Sequence, residues 1–231
     1  SAAVKEDNPE YIKAVSLGIP TIKRAKALGE IVNDKFLIAV SGTHGKTTTT
    51  AMVAKILIDN NSDPTVFVGG NLTFLDGSSS RIGNSNIAVV EADEYDRSFL
   101  TLKADVIIVN NIESDHLDIY ENLEDIKNNF IKFCNLGKEN CKVIMNGDDE
   151  NVRAIANQIK KEKIFFGFND ENDFVIDNIT YSEKTCSFKL NDSQINLAVI
   201  GRHNMLNSSA AFLSAKETGL NDEQISNSLQ S

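Results

Sequence analysis

The sequence predicts an α/β fold, a mostly parallel sheet with helices on both faces, followed by a small antiparallel meander. Two observations predict the sheet. Short apolar runs at 36–40, 65–68, 87–90, 106–109, 142–145 and 163–166 alternate with stretches of helical spacing, as expected of strands joined by crossover helices. The first run is apolar throughout, as a strand covered on both faces must be. A third observation predicts the meander. Beyond Gly167 the stretches 174–181, 185–190 and 195–200 switch to period-two alternation, with Asn191 and Asp192 as turn residues before the last.

Taken in order, residues 1–34 hold Pro9, Gly18, Pro20 and a short amphipathic stretch at 23–32. They read as a tail or as the edge of a preceding domain. Phe36-Leu37-Ile38-Ala39-Val40 is a buried strand closed by Ser41-Gly42, and 47–60 follows as a helix. Residues 65–68 form the next strand, which Gly69-Gly70 should break. The runs 87–90 and 106–109 end in polar residues, and a parallel sheet delivers such ends to one edge. Helices are expected over 123–134 and 151–160, with strands at 142–145 and 163–166. A long helix over 204–218 is closed by Gly219, and 222–230 is helical in spacing again.

At 231 residues, 41% apolar and 24% charged, the chain can close one substantial core plus a smaller piece. Its net charge of -10 argues against broad electrostatic binding to nucleic acid or to an anionic membrane, so any nucleotide site must be local. No apolar run approaches the ~18 residues of a membrane span, and the start lacks the pattern of a signal peptide. The expected compartment is cytoplasmic. Cys134, Cys141 and Cys186 have neither the spacing nor the neighbours of a zinc cluster or a disulfide framework, and read as reduced thiols. The chain lacks an initiator Met and stops inside a helix-like run, so both ends are expected to be cut.

Four motifs carry the chemistry. Gly42-Thr43-His44-Gly45-Lys46-Thr47-Thr48 lies between a strand and a helix, where a phosphate loop belongs. Its glycines let backbone N–H groups face an anion, Lys46 can reach the outer phosphates, and the Thr47 hydroxyl can ligate Mg²⁺. The general pattern would place its first glycine where this chain has Val40, so the loop is a variant. The second motif, Glu91-Ala92-Asp93-Glu94-Tyr95-Asp96, ends a strand, and Glu91 is the best placed of its carboxylates to reach the metal. The third is Asn110-Asn111-Ile112-Glu113-Ser114-Asp115-His116-Leu117-Asp118. Its Asn, Asp and His are candidates for metal coordination or for polarising a phosphoryl group. The fourth, Gly201-Arg202-His203-Asn204-Met205-Leu206-Asn207, opens a helix whose Asn amides can match an adenine edge, although His-Asn at a helix start is also an ordinary capping arrangement.

Together with Gly69-Gly70 and the opening stretches Lys5-Glu6-Asp7-Asn8-Pro9 and Leu17-Gly18-Ile19-Pro20, these motifs resemble the Mur ligase family, most closely its alanine-adding branch. The resemblance covers nearly the whole chain. It implies that residues 1–34 are the C-terminal end of a UDP-sugar-binding domain with its linker and that 35–231 are the central ATP-binding domain. A C-terminal amino-acid-binding domain is then absent. The implied cofactors are ATP and Mg²⁺, and the implied partners are UDP-N-acetylmuramate and L-alanine, with no nucleic acid and no membrane.

The resemblance gives Lys46 and His116 catalytic roles, Lys46 on the γ-phosphate and His116 at a second Mg²⁺. Thr47 and Glu91 go to the first Mg²⁺. Gly42, Thr43, His44, Gly45 and Thr48 complete the phosphate cradle. His203, Asn204 and Asn207 go to the nucleotide, with Asn207 on the adenine. Sister ligases carry a carbamylated lysine on the helix after the His motif; Lys127 and Lys132 fall only approximately at its position, and the alanine-adding branch does without it. The implied chemistry is phosphorylation of the muramate carboxylate to an acyl phosphate, then attack by the amine of alanine. Two alternatives stay open: a sibling that attaches a recycled murein peptide to the same sugar, and a phosphate-loop ATPase that ligates nothing. A switch of the latter kind has no evident use for the meander followed by Arg-His-Asn.

Overall fold

The computed structural model describes residues 4–114 and 119–230. Ten strands form one sheet: β1 (Phe36–Ser41), β2 (Thr65–Leu72), β3 (Ser78–Arg81), β4 (Ile87–Glu91), β5 (Val106–Val109), β6 (Lys142–Asn146), β7 (Glu162–Gly167), β8 (Phe174–Tyr181), β9 (Cys186–Leu190) and β10 (Ser193–Leu197). Their order is β10-β9-β8-β7-β6-β5-β1-β4-β2-β3. From β2 to β8 every neighbouring pair is parallel, and only the two edges run antiparallel. The helices are α1 (Pro9–Ser16), α2 (Arg24–Val32), α3 (Lys46–Asp59), α4 (Leu123–Leu136), α5 (Glu150–Ile155), α6 (Arg202–Lys216) and α7 (Asp222–Leu229). None of the described helices is long and apolar enough to cross a membrane.

β1 explains why the strand runs are apolar without alternation. Side chains alternate between the two faces of a strand, and both faces of this one are covered. Ile38 and Val40 point into a core shared with Val53, Ile56 and Leu57 of α3 and with Met205 and Phe212 of α6. Leu37 and Ala39 point into the opposite core, with Phe130 and Phe133 of α4 and Val32 of α2. Each fully buried large apolar side chain contributes about 1.5–3 kcal/mol, so the central strand is an anchor for everything at its C-terminal end. The register pairs Val40 with Glu91 and Ser41 with Val109. The segments that follow β1, β4 and β5 therefore leave the sheet at one level, which is what brings three of the four motifs together.

Four features differ from the sequence reading. β2 is not broken at Gly69-Gly70 but runs on to Leu72, its ladder to β3 irregular between Phe67 and Leu72. A strand interrupted by glycines continues where a neighbour pairs beyond them, and that neighbour, Ser78–Arg81, carries no apolar signal. The expected helix at 151–160 stops at Ile155 and tightens into a 3₁₀ turn at Ala156–Gln158. Residues 9–16 form a helix, with the Asn8 side chain accepting from the amides of Glu10 and Tyr11 and Pro9 in the first turn, although it buries no residue. The meander is joined to the main sheet through Phe166–Phe174 and Gly167–Val175, and its last strand ends at Leu197, leaving Val199 and Ile200 exposed.

Candidate functional site

The loop between β1 and α3 is held by the segment that leaves β5. The Thr43 amide donates to the Asn111 carbonyl at 3.1 Å. The Asn111 side chain accepts from the His44 amide at 2.7 Å and donates back to the His44 carbonyl at 3.2 Å. The Glu113 amide donates to Thr43 Oγ1 at 2.9 Å. One level deeper, Asn110 donates to Thr49 Oγ1 at 3.0 Å, and Asn146, from the end of β6, donates to the Asn110 carbonyl at 2.9 Å. The amides of Thr43 and His44 are thus engaged, and those at the start of α3 are the ones that helix geometry leaves facing outward. With the positive end of the helix behind them they form a place for an anion.

Gly45 makes that turn possible. It caps α3 at φ 80°, in the left-handed region, and a Cβ there would stand 2.5 Å from Asn207 Oδ1 and 3.2 Å from Asn110 Nδ2. The loop and α6 touch at this glycine.

Lys46 and Thr47, neighbours at the helix start, are each held by one carboxylate of the acidic motif. Lys46 Nζ donates to the carbonyls of Gly42 at 2.8 Å and Thr43 at 3.2 Å, and pairs with Glu94 at 2.9 and 3.0 Å. That pair is largely buried, at 13% and 3% side-chain exposure. Burial pushes the Glu94 carboxyl above its ordinary range, and the Lys46 charge pulls against that shift. Removing one partner of such a pair costs about 3–5 kcal/mol. Thr47 Oγ1 donates to Glu91 Oε1 at 3.2 Å, and the Gly69 amide donates to Glu91 Oε2 at 2.7 Å. A Cβ on Gly69 would stand 2.7 Å from Glu91 Oε1, so the strand passes this carboxylate only because residue 69 has no side chain. A threonine hydroxyl and a carboxylate are hard oxygen donors, suited to Mg²⁺ completed by water and phosphate oxygens. Among the described residues no three His, Cys, Asp or Glu gather into a metal cluster.

Two hollows lie near these residues. On the α6 side a pocket of ≈ 280 Å³ is lined by Gly45, Thr48, Asn111, Phe166, His203 and Asn207 among others. Asn207 is 7% exposed and its side-chain amide makes no hydrogen bond among the described residues, so the amide is open to the pocket. Asn204 donates instead to the Ile200 carbonyl at 2.8 Å, as a helix-start residue does. Arg202 stacks over Phe168 at 3.7 Å. On the β2 side a hollow of ≈ 370 Å³ is lined by Arg24, Phe67, Gly69, Ser80, Glu91 and Asp93 among others.

The structure brings Gly42, Thr43, His44, Gly45, Lys46, Thr47, Thr48, Glu91, His203 and Asn207 to one edge. His116, with Asp115 and Asp118, lies outside the described residues. Asn111 and Glu94 lie in motifs the sequence pointed to, Asn111 among the candidates of the third and Glu94 ranked behind Glu91, whereas Asn146 and Phe166 were not singled out. Asn146 and Phe166 end or nearly end parallel strands, which is the signal that would have found them. All three cysteines are buried, and burial pushes their thiols up, Cys141 to about 12, which disfavours the thiolate in each.

The family model described as the Mur ligase middle domain matches residues 40–215. The chain is 42% identical over 221 residues to the UDP-N-acetylmuramate–L-alanine ligase of Persephonella marina, covering 95% of this chain and 48% of that protein. It is 42% identical over 239 residues to the enzyme of the same name from Acetivibrio thermocellus, covering 100% of this chain and 51% of the other. The chain thus spans about half the length of these relatives. Among solved structures, the UDP-N-acetylmuramate–alanine ligase of Thermotoga maritima superposes with a TM-score of 0.84 at 28% identity, over 99% of this chain and 52% of that one.

Proposed function

The chain belongs to the Mur ligase family, and from that membership we propose that it is the ATP-binding part of an enzyme joining L-alanine to the carboxylate of UDP-N-acetylmuramate. The observation that carries the reading is the pair of neighbours at the start of α3. Lys46 and Thr47 stand side by side, each met by a carboxylate of the acidic motif, beside a pocket on the α6 side. Identity of about 40% to alanine-adding ligases supports the choice of amine. By the same reading 35–231 are the central domain, and 1–34 are the end of the sugar-binding domain with its linker.

In this site ATP lies with its phosphates against the amides at the start of α3 and its nucleoside toward His203 and Asn207. Thr47 and Glu91 would hold Mg²⁺, which offsets phosphate charge when bound. Lys46 supplies a mobile full charge to the outer phosphate. The hollow beside Gly69 and Glu91, the carboxylate that meets Thr47, takes the carboxylate substrate. The carboxylate oxygen attacks the γ-phosphorus, ADP leaves, and the alanine amine then displaces phosphate from the acyl phosphate with loss of a proton. The protein's part is positioning and charge compensation.

The test uses the full-length protein that contains this chain, with ATP, UDP-N-acetylmuramate and either L-alanine or the tripeptide L-alanyl-γ-D-glutamyl-meso-diaminopimelate. Mass spectrometry should find the alanine adduct and one phosphate released per adduct. A product with the tripeptide alone, or ATP hydrolysis without either adduct, would overturn the assignment. On the same assay Gly69→Ala, which crowds Glu91, should raise the Mg²⁺ needed for half-maximal ATP consumption by roughly tenfold, with little change in melting temperature.

A further inference from the structure

We propose that Glu94 is the positioning residue of the phosphate lysine, holding Lys46 Nζ over the loop both before and after a nucleotide enters. The inference rests on the reading of the loop as an ATP site, and it gives a task to a carboxylate that the sequence reading passed over in favour of Glu91.

A lysine ammonium has three protons and no acceptor. In this structure all three are directed inward, to the Gly42 carbonyl at 2.8 Å, to the Thr43 carbonyl at 3.2 Å and to Glu94. A phosphate oxygen can be engaged only by giving one of these up. The Glu94 side chain is 3% exposed, and giving up the Lys46 charge from a carboxylate buried there would be strongly disfavoured. The Thr43 carbonyl is neutral and the longest of the three contacts. The exchange therefore falls on Thr43, and Lys46 ends as a bridge between Glu94 and the phosphate.

The backbone that carries this carboxylate is itself fixed. The Tyr120 hydroxyl, on a side chain that is 1% exposed, donates to the Glu94 carbonyl, and Arg97 lies over the Tyr120 ring at 5.0 Å. The chain after Glu94 kinks through Asp96 and Arg97, both at positive φ of 53° and 55°. Such conformations persist where surroundings over-determine them. Here Phe99 supplies the restraint, stacked on Phe133 at 4.6 Å and edge-on to Phe130 at 5.3 Å. The acidic motif is thus a rigid bracket in which residue 91 holds Thr47 and residue 94 holds Lys46.

If Glu94 positions and does not merely bind, its loss should appear in kcat. In the full-length enzyme Glu94→Gln is expected to lower kcat for ATP consumption roughly 10- to 100-fold. The KM for ATP, and the Kd for MgATP by calorimetry, should stay within about threefold. Glu94→Asp keeps the charge on a shorter stem and should recover part of the lost kcat. A folded Glu94→Gln protein with wild-type kcat would overturn the inference, whether its melting temperature or its ATP affinity had fallen. So would a kcat for Glu94→Asp no higher than for Glu94→Gln. Because ATP consumption is the readout, the choice of amine does not enter. Lys46→Ala run alongside separates the two readings: if it consumes ATP normally, the loop assignment itself has failed.

Discussion

Lys46→Ala is expected to abolish ATP consumption to within assay background, a loss of at least roughly 10²–10³-fold, as when a single preorganised donor to developing charge is removed. The backbone amides at the start of α3 would still attract phosphate, so the loss should lie mainly in kcat. The variant should also be less stable, because it takes the Lys46 charge away from a carboxylate that burial already pushes toward its neutral form. Breaking such a pair costs about 3–5 kcal/mol. The two effects can be separated. Lys46→Ala combined with Glu94→Gln removes the charge that was stranded, so melting temperature should return most of the way while activity does not. If the double variant were as unstable as the single one, the ion pair would not be what holds this corner.

The second large effect is expected at Gly45. Its φ of 80° is a conformation that costs an L-residue about 1–3 kcal/mol. The added methyl would also fall 2.5 Å from Asn207 Oδ1 and 3.2 Å from Asn110 Nδ2. Neither neighbour is a long flexible chain, and Asn110 is tied to Thr49. Gly45→Ala should therefore push α6 away from the loop and spoil both the phosphate turn and the nucleoside pocket, weakening MgATP binding by more than about tenfold. Calorimetry on the purified variant checks this. Binding within about twofold of wild type would mean that the loop can re-form without the contact to Asn207.

Most of the fold was legible because its central strands bury both faces, and such strands must be written in uninterrupted apolar residues: Leu37, Ile38, Ala39 and Val40 could hardly be anything else. What was missed has a different physical basis. The edge strand at 78–81 is three serines and an arginine, held by pairing with β2 and by the Arg81–Asp63 ion pair with no apolar residue to signal it, and α1 owes its existence to the Asn8 cap rather than to packing. In the site, Gly-Lys-Thr after a strand is readable because phosphate chemistry demands those residue types in order. Glu94 was not, because its partner is 48 positions away, and only the register of β1 against β4 tells which of several nearby carboxylates meets which side chain. Asn111 stood as a candidate for metal or phosphoryl chemistry, and its role in bracing the loop was not readable for the same reason: its partner at His44 is 67 positions earlier.

The strand order also constrains how the molecule can be made. β1 emerges from a ribosome well before β4 and β5, the two strands that will flank it, and its loop is a bare peptide until Asn111 arrives to pin His44. The wall that carries His203 and Asn207 comes later still, after the entire meander. A growing chain passes through a long period in which its first strand has no neighbours and must be kept from foreign edges, the hazard of a fold built on distant pairings. Nucleotide cannot shorten that period. Ligand stabilises only what binds it, and the proposed site lacks its nucleoside wall until α6 has left the exit tunnel, so ATP should steady the finished domain far more than it guides its assembly.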